Sequence, residues 1–238
     1  MMVIQVVSLF PDMMRAVWNT SILKRAQSRH LVDLRVVPLR WFGLGPHRQA
    51  DDYPFGGGPG MLLRPDVVVP AVEWAMMHHR QPAQVVLTSA QGKPFTQELA
   101  RKWAQSPHLI IVAGHYEGID DRVRQILNAE EVSIGDYVLT GGELPALVMV
   151  DAVVRLIPGV LGSGQGAADD SFSIGPGLLE GPQFTRPEVY RGLSVPDVLL
   201  SGHHQAIRQW RQQVAWEWTR DRRPDLLPTH SERREEDL

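Results

Sequence analysis

Cysteine is absent from the whole 238-residue sequence. Disulfide frameworks, thiolate metal sites and cysteine nucleophiles are therefore excluded, and the chemistry must come from oxygen and nitrogen groups. Long apolar runs are missing too, and residues 1–10 read as a buried strand without the basic flank and small-residue cleavage site of a leader. The expectation is a cytoplasmic protein with no membrane attachment. Positive charge is scarce: the formal net charge is -3, an unpromising figure for a nucleic-acid binder. Its distribution is uneven, however. Between residues 186 and 234 nine arginines face six acids, whereas residues 1–185 sum to -3 and residues 235–238 add another -3 that masks the basic stretch. Lysine is nearly missing, at three against 21 arginines. Arginine suits bidentate phosphate contact and base stacking, and GC-rich coding produces the same excess, so the two explanations stand level.

At 43% hydrophobic residues, a chain of this length buries a full core and suits one large domain with a small appendage. Apolar runs at residues 3–9, 31–37, 85–88 and 109–113 predict strands, with helical stretches such as residues 65–79 between them. That alternation predicts an α/β domain with a mostly parallel sheet, covered on both faces because its strands lack polar alternation. A helix over residues 144–156 closes the layer. Residues 159–171 crowd Gly, Ser, Ala and Gln with little to bury, the composition of a linker or mobile lid. The expected division is a catalytic domain over 1–161, a flexible segment over 162–171 and a small all-helical domain over 172–238. In the last, Ile207, Trp210, Val214 and Trp218 repeat at helical spacing and predict a packed face of a helix over residues 203–219. The final SERREEDL reads as a solvated end.

Three glycine-rich segments stand out. DDYPFGGGPGM (residues 51–61) frees the backbone for close approach to a ligand or anion, and is equally intelligible as a long structural loop. It lacks the Lys-Ser/Thr pair of a P-loop and the strand-to-helix context of a dinucleotide fingerprint. GHYEGID (residues 114–120) follows the strand LIIVA, so it falls at the carboxyl end of a parallel strand, where open α/β sheets bind ligands; a plain turn with Asp120 as helix N-cap explains it as well. SIGDYVLTGGELPA (residues 133–146) again separates a strand from a helix, with Pro145 in the first helical turn. Three such loops in one domain raise the prospect of a shared pocket. Arg155 precedes the expected lid and Asp169 and Asp170 lie inside it, so a cation and a carboxylate would meet on closure. The His pairs at 78–79 and 203–204 lack the spacing of a zinc helix.

Together with RLIPGVLG, DSF, TRPEVYRG, VPDVLLSGHH and IRQWR, these blocks closely resemble the bacterial tRNA (guanine-N1)-methyltransferases from residue 1 to about residue 227. The resemblance implies a SPOUT-type fold whose cofactor site is a trefoil knot, although threaded chains are rare in general. It also implies a homodimer that methylates N1 of guanine 37, beside the anticodon of tRNA, using S-adenosylmethionine. Carried over motif by motif, the cofactor site comprises Leu87, Ser89, Gly114, Tyr116, Glu117, Gly118, Ile134, Gly135, Tyr137, Leu139, Gly141, Gly142 and Pro145. Asp170 corresponds to the general base, supplied by the subunit opposite the cofactor, and Arg155 to the cation that contacts guanine. Magnesium dependence is implied as well, with no dedicated protein site identifiable. TSAQG (residues 88–92) departs from the Ser-Pro-Gln-Gly run of many members, and His115 stands where Arg is common. The competing readings are a non-catalytic RNA-binding protein on the same fold and an enzyme of another class using a nucleotide cofactor.

Overall fold

Uninterrupted Val, Ile and Leu runs make strands that need cover on both sides, and the computed structural model arranges five of them in that way. It describes residues 1–162, 170–173 and 177–227. The chain divides into two units, Met1–Gly162 and Ser163–Leu238. In the first, strand β1 (Met2–Ser8) leads through helices α1 (Pro11–Trp18) and α2 (Ser21–Ser28) to β2 (Val32–Pro38). A small antiparallel pair, β3 (Asp51–Asp52) and β4 (Leu62–Leu63), brackets the first glycine-rich segment. Helix α3 (Pro65–Met77), β5 (Gln84–Pro94), α4 (Gln97–Ala104), β6 (His108–Val112), α5 (Asp121–Leu127), β7 (Glu130–Ser133) and α6 (Glu143–Val154) follow. The five long strands form one sheet in the order β2-β1-β6-β5-β7, every pair parallel.

Alternation along the strands divides the core into two layers. Ile4, Val6, Val86, Leu109 and Ile111 face α1, α2, α4 and α6, with Trp103 and Met149 fully buried among them. Val7, Val85, Leu87, Ile110 and Val112 face α3 and α5. The β5 to β6 connection crosses one face through α4, and the β6 to β7 connection crosses the other through α5. Connections leaving a sheet on opposite faces open a crevice at the carboxyl ends of neighbouring strands. Strand β5 runs past its expected end at residue 88 because it rejoins β7 at Lys93 after a register shift. Residues 89–91 are thereby released from the ladder toward that crevice.

The second unit differs from the all-helical expectation. Val189–Tyr190 (β8) and Leu193–Ser194 (β9) form an antiparallel hairpin. Its turn holds Arg191 at φ 50 and Gly192 at φ 81, and adjacent left-handed residues close hairpins readily. The TRPEVYRG block is thus a hairpin. Helices α7 (Asp197–Leu200) and α8 (His204–Arg222) follow, with a 3-10 turn at Pro224–Leu226 after them. On α8, Ile207, Trp210, Val214 and Trp218 are half-buried, and full burial falls on Ala215 and Thr219. The Thr219 hydroxyl donates to the Ala215 carbonyl and accepts from the Leu179 backbone N–H at 2.9 Å, pinning an extended segment along the helix. Arg222 stacks on Trp218 at 3.7 Å from the ring centroid. Asp169, most of the expected 162–171 segment and the closing SERREEDL lie outside the described residues.

Candidate active site

Three loops meet at the carboxyl ends of β5, β6 and β7 and enclose a cavity of about 320 Å³. All thirteen residues assigned to the cofactor site by resemblance line it: Leu87 and Ser89 from β5 beside its register shift; Gly114, Tyr116, Glu117 and Gly118 after β6; Ile134, Gly135, Tyr137, Leu139, Gly141 and Gly142 between β7 and α6; and Pro145 in the first turn of α6. The volume falls in the range of small-molecule pockets. The three walls differ from the three loops singled out by glycine content. DDYPFGGGPGM contributes nothing to the lining, and the third wall is Leu87, Thr88, Ser89, Ala90 and Gln91. The DDYPFGGGPGM loop acts as a brace instead. Glu117 N donates to the Met61 carbonyl at 3.0 Å, Leu63 N to the Gly118 carbonyl at 2.9 Å and Asp120 N to the Leu63 carbonyl at 3.1 Å. A side chain on Gly60 would collide with the Glu117 carboxylate.

Close backbone approach explains the glycines. Gly142 N donates to the Gly114 carbonyl at 2.6 Å, and Gly114 N donates to Thr88 Oγ1 at 2.9 Å. A Cβ on Gly142 would overlap Thr88 Oγ1, so only glycine lets this loop pack against both Thr88 and Gly114. Tyr116 is left-handed at φ 60 despite its side chain, an unfavourable geometry that the flanking turn maintains. The Asp120 side chain accepts from Arg122 N, making it the N-cap of α5 as anticipated.

The rim is charged. Arg124 pairs with Asp121 at 2.8 Å and approaches Glu131 to 3.7 Å. The Arg122 guanidinium lowers the Asp120 pKa, and the Arg124 guanidinium, with the Gln125 amide, lowers that of Asp121. Asp121 and Arg124 carry no mark in the sequence because α5 is a seven-residue helix, too short to produce a helical period. Also lining the cavity is His115, whose Nδ1 is buried without a hydrogen bond.

Arg155 is the half-buried C-cap of α6 in the first unit, its backbone N–H donating to the Asp151 carbonyl. Asp170 belongs to the second unit, in a turn where its carbonyl accepts from Ser173 N at 3.0 Å. Among the described residues no three His, Asp or Glu side chains cluster to hold a metal, and no helix is long and apolar enough to cross a membrane.

A parallel, doubly covered sheet that gathers glycine-rich loops into a pocket beyond its strand ends defines an α/β protein built around a small-molecule site. Comparison with known proteins narrows that class. The family model described as tRNA (Guanine-1)-methyltransferase TrmD matches residues 2–229, and the chain belongs to this family. Proteins named tRNA (guanine-N(1)-)-methyltransferase resemble it over nearly all of both chains. That of Staphylococcus epidermidis is 50% identical across 95% of this chain and 91% of its own. Those of Moorella thermoacetica and Dehalococcoides mccartyi are each 52% identical, over 94% and 95% of this chain and 89% and 90% of theirs.

Proposed function

We propose that the protein transfers a methyl group from S-adenosylmethionine to N1 of guanine 37 in tRNA. The observation that carries this reading is the convergence of all thirteen assigned cofactor residues on one cavity within a chain of this family. The pocket suits the donor chemically. Its walls expose main chain at Gly118, where an added Cβ would meet nothing within 4 Å, so adenine and ribose can be read by backbone groups. Bound S-adenosylmethionine supplies an electrophilic methyl on its sulfonium.

The remaining chemistry falls to the chain. Guanine N1 holds its proton with a pKa of about 9, roughly five units above a free aspartate, so unaided transfer to a carboxylate is uphill by about 7 kcal/mol. In this reading the Asp170 carboxylate takes that proton, while the Arg155 guanidinium stabilises negative charge developing on O6 and lowers the barrier. Asp170 acts on the cofactor site of the opposite subunit of a homodimer. Exposed apolar side chains on the neighbouring helices α1 and α6, Met13, Val17, Leu144 and Val148, support self-association through that face. The family resemblance implies a knotted cofactor site, and Gly142 packs closely against both Thr88 and Gly114 there. Exposed Arg208 and Arg211 on α8 serve phosphate contact, and magnesium arrives with RNA.

The decisive experiment incubates the protein with methyl-labelled S-adenosylmethionine and unmodified tRNA, then maps the labelled nucleoside. Label at N1 of guanine 37 is expected, and label elsewhere or none rejects the reading. Asp170→Asn is expected to lower turnover by about 10²-fold or more with donor affinity preserved, and substantial residual turnover would remove Asp170 as the base.

A further inference from the structure

Glu143 opens α6 and is 2% exposed, yet its side chain is not part of the cavity lining. A carboxylate is buried only where hydrogen bonds or opposite charge offset its lost hydration. The Ser8 hydroxyl donates to Oε1 at 2.9 Å, and His115 Nδ1 stands 3.5 Å from Oε2. The first turn of α6 favours a carboxylate further. Ser8 ends β1 and also accepts from Phe10 N at 2.9 Å, while the Phe10 ring lies 4.9 Å from that of His115. One buried side chain therefore joins the end of β1, the start of α6 and the loop after β6.

Two cavity-lining residues depend on this junction. His115 and Gly141 face each other across an antiparallel bridge. A Cβ on Gly141 would fall 2.5 Å from His115 Nδ1 and 2.6 Å from Glu143 Oε2. The space between the Glu143 carboxylate, His115 and Gly141 is too small for even a Cβ, so the three groups pack together. We infer that Glu143 is a positioning residue that holds His115 and Gly141 in register and keeps the donor pocket preformed. This inference rests on the proposed S-adenosylmethionine reading. Preorganisation of this kind acts on affinity because ordering is completed before the ligand arrives.

The test compares wild type, Glu143→Ala, Glu143→Gln and Ser8→Ala by calorimetry with S-adenosylmethionine, by thermal unfolding and by steady-state assay. Glutamine keeps the shape: its oxygen accepts from Ser8 and its nitrogen reaches His115. Loss of one buried hydrogen-bonding group predicts about tenfold weaker donor binding for Glu143→Ala, with Glu143→Gln within about threefold of wild type. The KM for the donor is expected to rise in Glu143→Ala while kcat at saturation changes less, a split that loss of fold alone does not produce. Ser8→Ala, the milder variant, decides the question if Glu143→Ala fails to fold, with about threefold weaker binding expected. Unchanged affinity in the folded alanine variants, or equal loss in Glu143→Gln and Glu143→Ala, overturns the inference while leaving the donor site standing. Wild-type protein that takes up no S-adenosylmethionine overturns both.

Discussion

Gly142 has no room for a side chain: a Cβ there would overlap Thr88 Oγ1 and lie 2.5 Å from Gly114 N. Because one of the obstacles is backbone, the strain cannot be relieved by rotating a side chain. Gly142→Ala is expected to destabilise the protein by about 1–3 kcal/mol and to weaken S-adenosylmethionine binding, as measured by thermal denaturation and calorimetry. His108 presents a titration instead. It is fully buried in β6 and shares a 2.6 Å hydrogen bond with Gln5. Burial, helped by nearby His79 and Arg35 and opposed by the Gln81 carbonyl, holds its pKa below the ordinary 6.5. The unfolded chain therefore binds a proton that the folded chain refuses. The corresponding stability is complete above pH 6.5 and is lost as pH falls toward the folded value. Thermal midpoints measured from about pH 8 to 5 are expected to drop at the acid end for wild type and to be flatter for His108→Gln.

At the scale of elements, the long strands β1, β2 and β6 and the helices α3, α6 and α8 lie within one to three residues of the positions their apolar patterns predicted. Sequence pattern worked there because burial on both faces leaves a continuous apolar run. It failed where burial is partial or pairing is non-local. The second half of β5 opens with Ser89, Ala90, Gln91 and Gly92, none a large apolar residue, and its strand character comes from rejoining β7 rather than from its own side chains. The β8–β9 hairpin buries nothing, with all four of its residues exposed, so no periodicity marked it. On α8 the stripe of Ile207, Trp210, Val214 and Trp218 was legible, but the deepest position is Thr219, a polar residue whose partner Leu179 is forty residues away. Thr219→Val would leave the Leu179 N–H unsatisfied, at about 1–3 kcal/mol. Denaturant unfolding checks the magnitude, and faster hydrogen exchange at Leu179 checks the cause.

For the whole molecule, the proposed self-association carries the largest consequence, since in that reading the base and the donor pocket come from different subunits. Met13, Val17, Leu144 and Val148 expose apolar surface on adjoining helices, more readily covered by a second copy than left in water. The double substitution Leu144→Asp and Val148→Asp is expected to yield a folded monomer with little methyl transfer. Sedimentation of an intact dimer would place the contact elsewhere.

The amino-acid order by itself determined the parallel, doubly covered sheet, because runs of β-branched residues admit no other cover. It also singled out residues 114–120 and 133–146, glycine-rich loops that follow buried strands and so fall at the carboxyl ends, where open α/β sheets bind ligands. Only the tertiary structure decided that Thr88 and Gln91 complete the pocket, that DDYPFGGGPGM braces Glu117 from outside it, and that Glu143 couples Ser8 to His115. Each of these facts is a contact between segments tens of residues apart, and no local property of either segment encodes the partner it meets.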